Sequence, residues 1–406
     1  MTAGSGAERA GGRRRFFGAV SPTGEGQPVT RFELLFDLVY VFAVTRVTDY
    51  MARAHTAEGV VQGLLLLALL WWTWAGYAWL GNQARADQAL LRAGMSVAMA
   101  ALFVVDLTIP EAWHDKPGGL NGPLVLLAAY LVVRCLHLAV YSVAAAGDAG
   151  LRRQLAITWI PTLAGAALLL IGVLLGGWRQ TVLFAAALLV DWGVVFVTSR
   201  RGNWRVHSAS HWSERHDLFV ILAIGESILA IGIGAADQPI SGPLLVAAVL
   251  GVAVAIGLWW LYFDLVAPAA EQRLEQARGQ ARTTLAVEAY SYAHFPIIAG
   301  IVLAALGVEG VLAQASGHGE LGWFYAAALC GGAALYLIGH LLFANRMRYG
   351  VHVGRLVTTA VLLGWLPAAA VLPSLVALAV VVGILAALIA GETVRYADLR
   401  RAVGHG

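Results

Sequence analysis

The stretch His211–Gly234, which reads HWSERHDLFVILAIGESILAIGIG, decides what kind of protein this chain forms. Its first seven residues are mostly polar or charged, and a nearly unbroken apolar run follows. At about 1.5 Å of helical rise per residue, Glu226 lies about eleven residues beyond Arg215, near the middle of a bilayer. A carboxyl group at that depth is costly unless it is protonated, paired or in contact with water. Glu226 is therefore a candidate functional residue.

The composition of the whole chain is that of a multi-pass membrane protein. Of 406 residues, 59% are hydrophobic and 13% are charged, and the mean hydropathy is +0.73. A soluble domain has no interior large enough for so much apolar side chain. The net charge of +3 gives no reason to expect a nucleic acid partner. Only two cysteines occur, both in apolar segments, so we expect neither a disulfide framework nor a cysteine metal cage.

Twelve apolar segments follow the N-terminal tail, and each is close to the ~20 residues that cross the hydrocarbon. Only Pro373 separates the last two, so eleven spans are an alternative. Most of the 27 basic residues, Arg215 and Arg355 among them, fall in alternate loops, which predicts that both termini are cytosolic. The segments are 34–52, 58–80, 91–109, 122–146, 155–176, 180–199, 217–235, 242–266, 285–307, 320–344, 355–372 and 373–391.

Short matches between the two halves predict an internal duplication. We expect a disordered cytosolic tail at 1–30, six-helix repeats at 31–205 and 206–396, and a short cytosolic tail at 397–406. Both halves begin in the cytosol, so the repeats are parallel, and a charged loop at 267–284 interrupts the second one. The matches are Arg31-x-Glu33-Leu34 with Arg215-x-Asp217-Leu218, Trp71-Trp72-x-Trp74 with Trp259-Trp260-x-Tyr262, and Tyr130-x-x-x-Arg134 with Tyr336-x-x-x-His340.

Charged residues at the ends of the first span allow two interpretations. Glu33 and Asp37 are four apart and share one helix face. Either Arg31 pairs with Glu33 while Asp37 caps or hydrogen-bonds, or Asp37 forms the cytosolic lip of a polar path. At the other end, Arg46 and Asp49 are three apart, and we expect them to pair with each other.

Four ionisable residues are predicted at similar depth near the midplane, namely Arg134, Asp191, Glu226 and His294. Buried charges need partners, so we expect Arg134 to pair with Glu226 or with Asp191. A static bridge and a titrating or cation-binding carboxylate both remain open, with His294 as a candidate proton relay. Pro296 frees a backbone carbonyl one turn before it, which is common at membrane binding sites.

The sequence gives little support for enzyme chemistry. His207 and His211 are four apart, a spacing that suits a metal, but no cysteine or second ligand cluster lies near them. There is no nucleophile elbow, Walker loop or dinucleotide fingerprint. We expect no metal, no cofactor and no enzymatic activity.

Two signatures resemble those of the bacterial low temperature requirement A family. One is the core Glu33-Leu34-Leu35-Phe36-Asp37-Leu38-Val39-x-Val41-Phe42-Ala43, and the other is His211-x-x-Glu214-Arg215 leading to Gly225-Glu226-Ser227. Tyr130-x-x-x-Arg134 and Tyr292-x-His294 are also consistent with it. The resemblance implies a multi-pass protein of the bacterial inner membrane that is linked to growth in the cold, without a defined molecular activity. It marks His211, Glu214 and Arg215 as the cytosolic end of any path.

The first span is also similar to the first helix of potassium channels that carry a Phe-Ser-Asp motif, some of which contain two six-helix repeats. The match rests on Arg31, Glu33, Phe36-Asp37, Val39 and Thr45. Here Phe36 directly precedes Asp37 without the serine, and Ile221 stands where the second repeat would align with Asp37.

We expect a transporter or channel-like protein for a small solute or cation, with a path past Glu33, Asp37 and the midplane residues. The alternative is a non-transporting scaffold or sensor in cold or envelope adaptation, whose buried charges only hold helices together. Expected partners are the lipid bilayer, a small solute or cation and, as a further candidate, a second copy of the chain.

Overall fold

The computed structural model describes residues 24–86, 88–200, 202–236, 239–315, 319–348 and 352–396. These residues are helical with short connections and contain no β-strand, which confirms the predicted all-α class. The predicted tail 397–406 and the first 23 residues of the tail 1–30 lie outside the described residues.

Most of the long helices begin near the starts of the predicted apolar segments, with two short α-helices, one π-helical segment and one 3-10 turn (Ile109–Glu111) between them in the described residues. The helices are α1 (Arg31–Ala54), α2 (Ala57–Gln83), α3 (Ala89–Thr108), α4 (Gly122–Ala144), α5 (Ala149–Leu175), α6 (Gly177–Ser199), α7 (Ala209–Ala236), α8 (Gly242–Phe263), α9 (Val266–Gln276), α10 (Gly279–Leu285), the π-helix Ala286–Ala293, α11 (His294–Ala313), α12 (Gly322–Met347), α13 (Val353–Val371) and α14 (Ser374–Arg395).

Ten stretches of the described residues are helical, long and apolar enough to cross a membrane. Neither α1, which carries six charged residues, nor α7 is among them. A multi-pass helical protein is thus supported, whereas twelve crossings, cytosolic termini and the duplication stay predictions. The stretches are Ala57–Gln83, Ala89–Glu111, Gly122–Ala144, Ala149–Leu175, Gly177–Ser199, Gly242–Gln276, Gly279–Ala313, Gly322–Met347, Val353–Val371 and Ser374–Arg395.

Local chemistry explains several helix boundaries. The side chains of Asn121, Asp148 and Ser241 each accept a hydrogen bond from a backbone N–H three residues on, so they cap α4, α5 and α8. Leu372 is extended before Pro373, because a residue that precedes proline avoids the helical region. The last two apolar segments are therefore separate helices.

The segment 267–284 is not the loop that we predicted from its charge. It forms α9 and α10. The guanidinium of Arg282 in α10 donates to the carbonyls of Ala277 and Glu275, and these bonds hold the end of α9 against α10. A charged helix end can be stabilised in this way because the last carbonyls of a helix lack partners within it.

The described chain divides into two compact units. The first consists of the residues up to Tyr40 and of Trp72–Glu214, and the second of Val41–Trp71 and the residues from Arg215 onward. In the second unit α11 and α12 pack with their backbones in contact, since a Cβ on Gly332 would collide with the backbone of Ala304.

Candidate functional site

Glu33 lies at the start of α1 in the first unit and is 1% exposed. The backbone N–H of Thr30 donates to Glu33 Oε2 at 2.9 Å, and the N–H of Glu33 donates to Thr30 Oγ1 at 3.2 Å. This reciprocal pair is a capping box, and the Thr-x-x-Glu spacing is visible in the sequence. Helix capping thus belongs to Glu33, whereas Asp37, for which one interpretation offered a capping or a hydrogen-bonding role, accepts a hydrogen bond.

His211 brings α7 against Glu33. Its Nε2 lies 3.2 Å from Oε1 of Glu33. Asn82 accepts the N–H of His207 through Oδ1 at 2.7 Å, so its Nδ2 is the atom that faces Nδ1 of His211 at 3.5 Å. Since Nδ2 only donates, Nδ1 accepts and Nε2 carries the proton that points to Glu33.

A cavity of about 380 Å³ opens beside this pair. Residues 27–30 form one of its walls, and they are tied down because the N–H of Val29 donates to Oε2 of Glu214 at 2.9 Å. Two of the three signature residues predicted at the cytosolic end, His211 and Glu214, thus help to build this cavity. Its lining residues are Gln27, Pro28, Val29, Thr30, Arg31, Glu33, Gly81, Arg85, Ala86 and His211.

His207, which precedes the His211 signature by four residues, contacts a different side chain. His207 Nε2 lies 2.9 Å from Oε1 of Gln83, so His207 and His211 face different partners. Burial lowers the pKa of His207, and the nearby charge of Arg205 lowers it further.

Asp37 is fully buried in the first unit, where its Oδ1 accepts the indole N–H of Trp74 at 2.8 Å. Arg134 pairs with Asp191 at 2.6 Å, and Trp72 donates to the same Oδ2 atom at 2.8 Å. Of the two partners that we left open for Arg134, the structure selects Asp191.

Arg215 does not lie in a loop, as the placement of the basic residues predicts. The helix α7 already begins at Ala209, and Trp212, Arg215 and His216 are completely buried. Charged residues are rarely buried so fully, which is why the sequence predicts an exposed position.

Glu226 lies in the second unit on the apolar part of α7 and is 0% exposed. Within the described residues, neither of its carboxyl oxygens has a hydrogen-bond partner that meets normal geometry. The Thr45 side chain is beside it, but the Thr45 hydroxyl donates to the carbonyl of Val41 at 3.1 Å. Glu309 of α11 is a second acid within electrostatic range.

The far end of α1 carries the predicted pair of Arg46 and Asp49. Arg46 lies 3.5 Å from Asp49, and Arg53 lies closer, at 2.6 Å. The pairing of Arg46 with Asp49 is confirmed, and Arg53 is an additional partner.

His294 begins α11 directly after the π-helix, in the region where Pro296 was expected to disturb the helix. Its Nε2 lies 2.8 Å from the hydroxyl of Tyr262, and that hydroxyl lies 2.8 Å from Oδ1 of Asp217. The sequence placed Tyr262 and Asp217 in repeat matches without linking them to His294. Tyr262 is 32 residues from His294 and 45 residues from Asp217 in the sequence, so only the tertiary structure brings the three together.

A second buried ion pair was not predicted from the sequence. Arg355, which we counted as a cytosolic loop residue, is 3% exposed in α13, and its Nε and Nη2 donate to the two carboxylate oxygens of Glu392 at 2.8 and 2.9 Å. Because each residue stands at the polar end of an apolar segment, only the packing of α13 on α14 reveals the pair.

Comparison with known proteins supports the family resemblance. The sequence model of a family described as Bacterial low temperature requirement A protein (LtrA) matches residues 28–390. A protein of Rhizobium meliloti (strain 1021), described only as uncharacterized, is 28% identical over 318 residues, which cover 76% of this chain and 75% of that protein. No solved structure matches.

Proposed function

The chain belongs to the bacterial low temperature requirement A family, and we propose that it is a transporter or channel-like protein of the cytoplasmic membrane. We propose a small cation or solute as its substrate, moved with the help of buried acidic residues. The proposal rests on one observation, the fully buried carboxyl group of Glu226, which forms no ion pair within the described residues.

A buried carboxylate without partners is strongly unfavourable in an apolar surrounding. Glu226 comes close to this condition, because both of its oxygens are buried and the neighbouring Thr45 hydroxyl donates to the carbonyl of Val41. The Thr45 hydroxyl already donates elsewhere, so its oxygen is free to accept from a proton on Glu226 or to bind a cation. Burial of this kind favours the state in which the carboxyl group holds a proton or a cation.

Two buried ion pairs of the described residues favour a different role. Arg134 with Asp191 and Arg355 with Glu392 are close ion pairs with additional hydrogen bonds. Breaking such a pair leaves an uncompensated buried charge, so these residues hold their helices in place. Glu226 is therefore the acid whose burial a purely structural role does not explain.

Neighbouring charge supports a cation as the substrate. Glu309 adds a second acid near Glu226. Two carboxyl groups in one low-dielectric region raise the local preference for a cation or for protons.

The test is a flux measurement on the purified full chain in liposomes. The panel covers K⁺, Na⁺, Rb⁺ and H⁺ under an imposed gradient, with Glu226→Gln and Asp37→Asn as variants. Glu320→Gln is the matched control, because Glu320 is exposed and the same substitution there removes no buried charge. We expect flux by the parent protein and by Glu320→Gln, and a strong loss in Glu226→Gln.

Two results would count against transport. If Glu226→Gln and Asp37→Asn move every ion as the parent does, the acids are not part of a path. If the parent moves nothing and Glu226→Gln only lowers the melting temperature in detergent, the scaffold or sensor alternative is favoured.

A further inference from the structure

Three side chains of the second unit form a continuous hydrogen-bonded chain. Asp217 of α7 is half-buried, whereas Tyr262 of α8 and His294 of α11 are fully buried. The Tyr262 hydroxyl lies 2.8 Å from Asp217 Oδ1 and 2.8 Å from His294 Nε2. The other ring nitrogen, Nδ1, lies 3.4 Å from the carbonyl of Ala289.

The backbone carbonyl fixes which proton arrangements satisfy every bond. A carbonyl only accepts, so Nδ1 of His294 must carry a proton. Two arrangements remain. In one, the carboxylate of Asp217 accepts from the Tyr262 hydroxyl, which accepts from an imidazolium Nε2–H. In the other, a protonated Asp217 donates to the Tyr262 oxygen, whose proton is donated to a neutral Nε2.

These two arrangements differ only by the positions of two protons. The Nε2–H bond breaks as the proton moves to the Tyr262 oxygen, and the Tyr262 O–H bond breaks as its proton moves to Asp217 Oδ1. The total proton count is unchanged, and one proton equivalent has moved from His294 to Asp217. A hydroxyl that both donates and accepts is what makes this shift available.

The inner end of the chain is buried and rich in imidazoles. The His294 ring stacks on Tyr290 at 5.1 Å, and the His216 ring centre is 5.2 Å away. His340 of α12 faces Tyr262 at 5.8 Å, and within the described residues neither of its ring nitrogens has a hydrogen-bond partner. The preceding π-helix, a feature frequent at functional sites, sets the position of His294.

The position of the first unit that the predicted repeat aligns with Tyr262 is occupied by Trp74, whose indole N–H donates to Asp37. An indole nitrogen has no lone pair to accept a proton, so this bond cannot pass a proton on. The acid differs as well, since Asp37 aligns with Ile221 and not with Asp217. Tyr262 thus supplies the hydroxyl group that a relay needs, and Trp74 does not.

We propose that Asp217, Tyr262 and His294 form a proton relay, so that the ion which this protein carries or couples to is the proton. The inference rests on the proposed transport function, since it names the ion for it. The relay connects a half-buried carboxyl group with a buried imidazole through one hydroxyl group.

The test uses the full chain in liposomes with a pH-sensitive dye inside, under a potential set by a potassium gradient and valinomycin. Tyr262→Phe removes the bridging oxygen with little change of shape, and Asp217→Asn removes the terminal acceptor. Tyr141→Phe is the matched control, because the buried Tyr141 hydroxyl has no hydrogen-bond partner within the described residues. We expect the proton flux to fall by about tenfold or more in both relay variants and to stay unchanged in the control.

A second readout is independent of transport. With nitrogen-15 histidine, the His294 signal is identified by its loss in His294→Gln, and Tyr262→Phe is expected to shift the signal of Nε2. Normal proton flux in Tyr262→Phe, or an unshifted Nε2 signal, overturns the relay.

If the parent moves another cation through Glu226 but no protons, the relay is overturned and the proposed function stands. If the parent moves no ion at all, the proposed function fails, and with it the relay's role in transport.

Discussion

In the first unit, Nη2 of Arg134 lies 2.6 Å from Oδ2 of Asp191, and both side chains are less than a tenth exposed. The same guanidinium donates to the Thr162 hydroxyl at 3.1 Å, and Trp72 donates to the same carboxylate oxygen. This arrangement compensates both buried charges, so its main effect is on stability.

Replacing Asp191 by asparagine is therefore expected to destabilise the protein. Asp191→Asn leaves the Arg134 guanidinium buried without a counter-charge, which costs about 3–5 kcal/mol. Glu226→Gln removes no ion pair and is expected to leave stability unchanged. Thermal unfolding of both variants in detergent measures the difference, and an equal loss in the two would contradict the distinction between structural and functional acids.

The pair of Arg355 and Glu392 allows a double substitution as a test. Glu392→Gln alone is expected to cost about 3–5 kcal/mol, because the arginine charge stays buried. The double variant Arg355→Met, Glu392→Leu removes both charges and is expected to recover most of that loss. A denaturation midpoint measures each step of the cycle. A double variant less stable than Glu392→Gln would show that the pair contributes more than mutual compensation.

Asp148 gives a pH-dependent contribution outside the membrane-spanning segments. The backbone N–H of Leu151 donates to its carboxylate at 3.0 Å and lowers the pKa of Asp148 below its usual value. The stabilisation that the charged carboxylate of Asp148 adds is thus fully present above the unfolded pKa of about 3.9. It is lost as the pH falls through the lower pKa of the folded state.

Asp148→Ala is expected to cost about 1 kcal/mol at pH 7, the usual value of a helix cap, and less at pH below the folded pKa, where only an uncharged cap is left to lose. Asp148→Asn retains a cap but has no charge to titrate, so its stability relative to the parent is expected to rise as the pH falls. Melting curves across the acidic range measure both, and a pH-independent loss in Asp148→Ala would exclude the charged cap.

Two adjacent glycines of α12 test the close packing on α11. A Cβ at Gly332 would collide with the backbone of Ala304, whereas a Cβ at Gly331 would meet nothing within 4 Å. Gly332→Ala is expected to destabilise by about 1–3 kcal/mol through overpacking. Gly331→Ala is expected to be neutral or slightly stabilising, since alanine favours helix. The melting temperatures of the two variants measure this difference in stability, and equal values would contradict the close contact between α11 and α12 at Gly332.

Much of the fold could be predicted from the sequence. Apolar length and the break before Pro373 are local properties, and both are present in the structure at the predicted place. The Thr30–Glu33 capping box is local too, and its Thr-x-x-Glu spacing could have been read from the sequence, but we did not predict it. The exceptions are charged segments. Arg215 and Arg355 were predicted at the membrane surface from their charge, yet both are buried, because long-range neighbours compensate them or enclose them.

The sequence by itself determined the all-helical membrane class, the family and the presence of an acid in an apolar helix, since composition and spacing along one helix suffice for these. The tertiary structure alone decided the partners: Asp191 for Arg134, Glu392 for Arg355, and Tyr262 as the bridge between Asp217 and His294. The physical reason is that a helix's own hydrogen bonds and hydrophobicity are local, whereas side-chain partners depend on how each helix is rotated against the others.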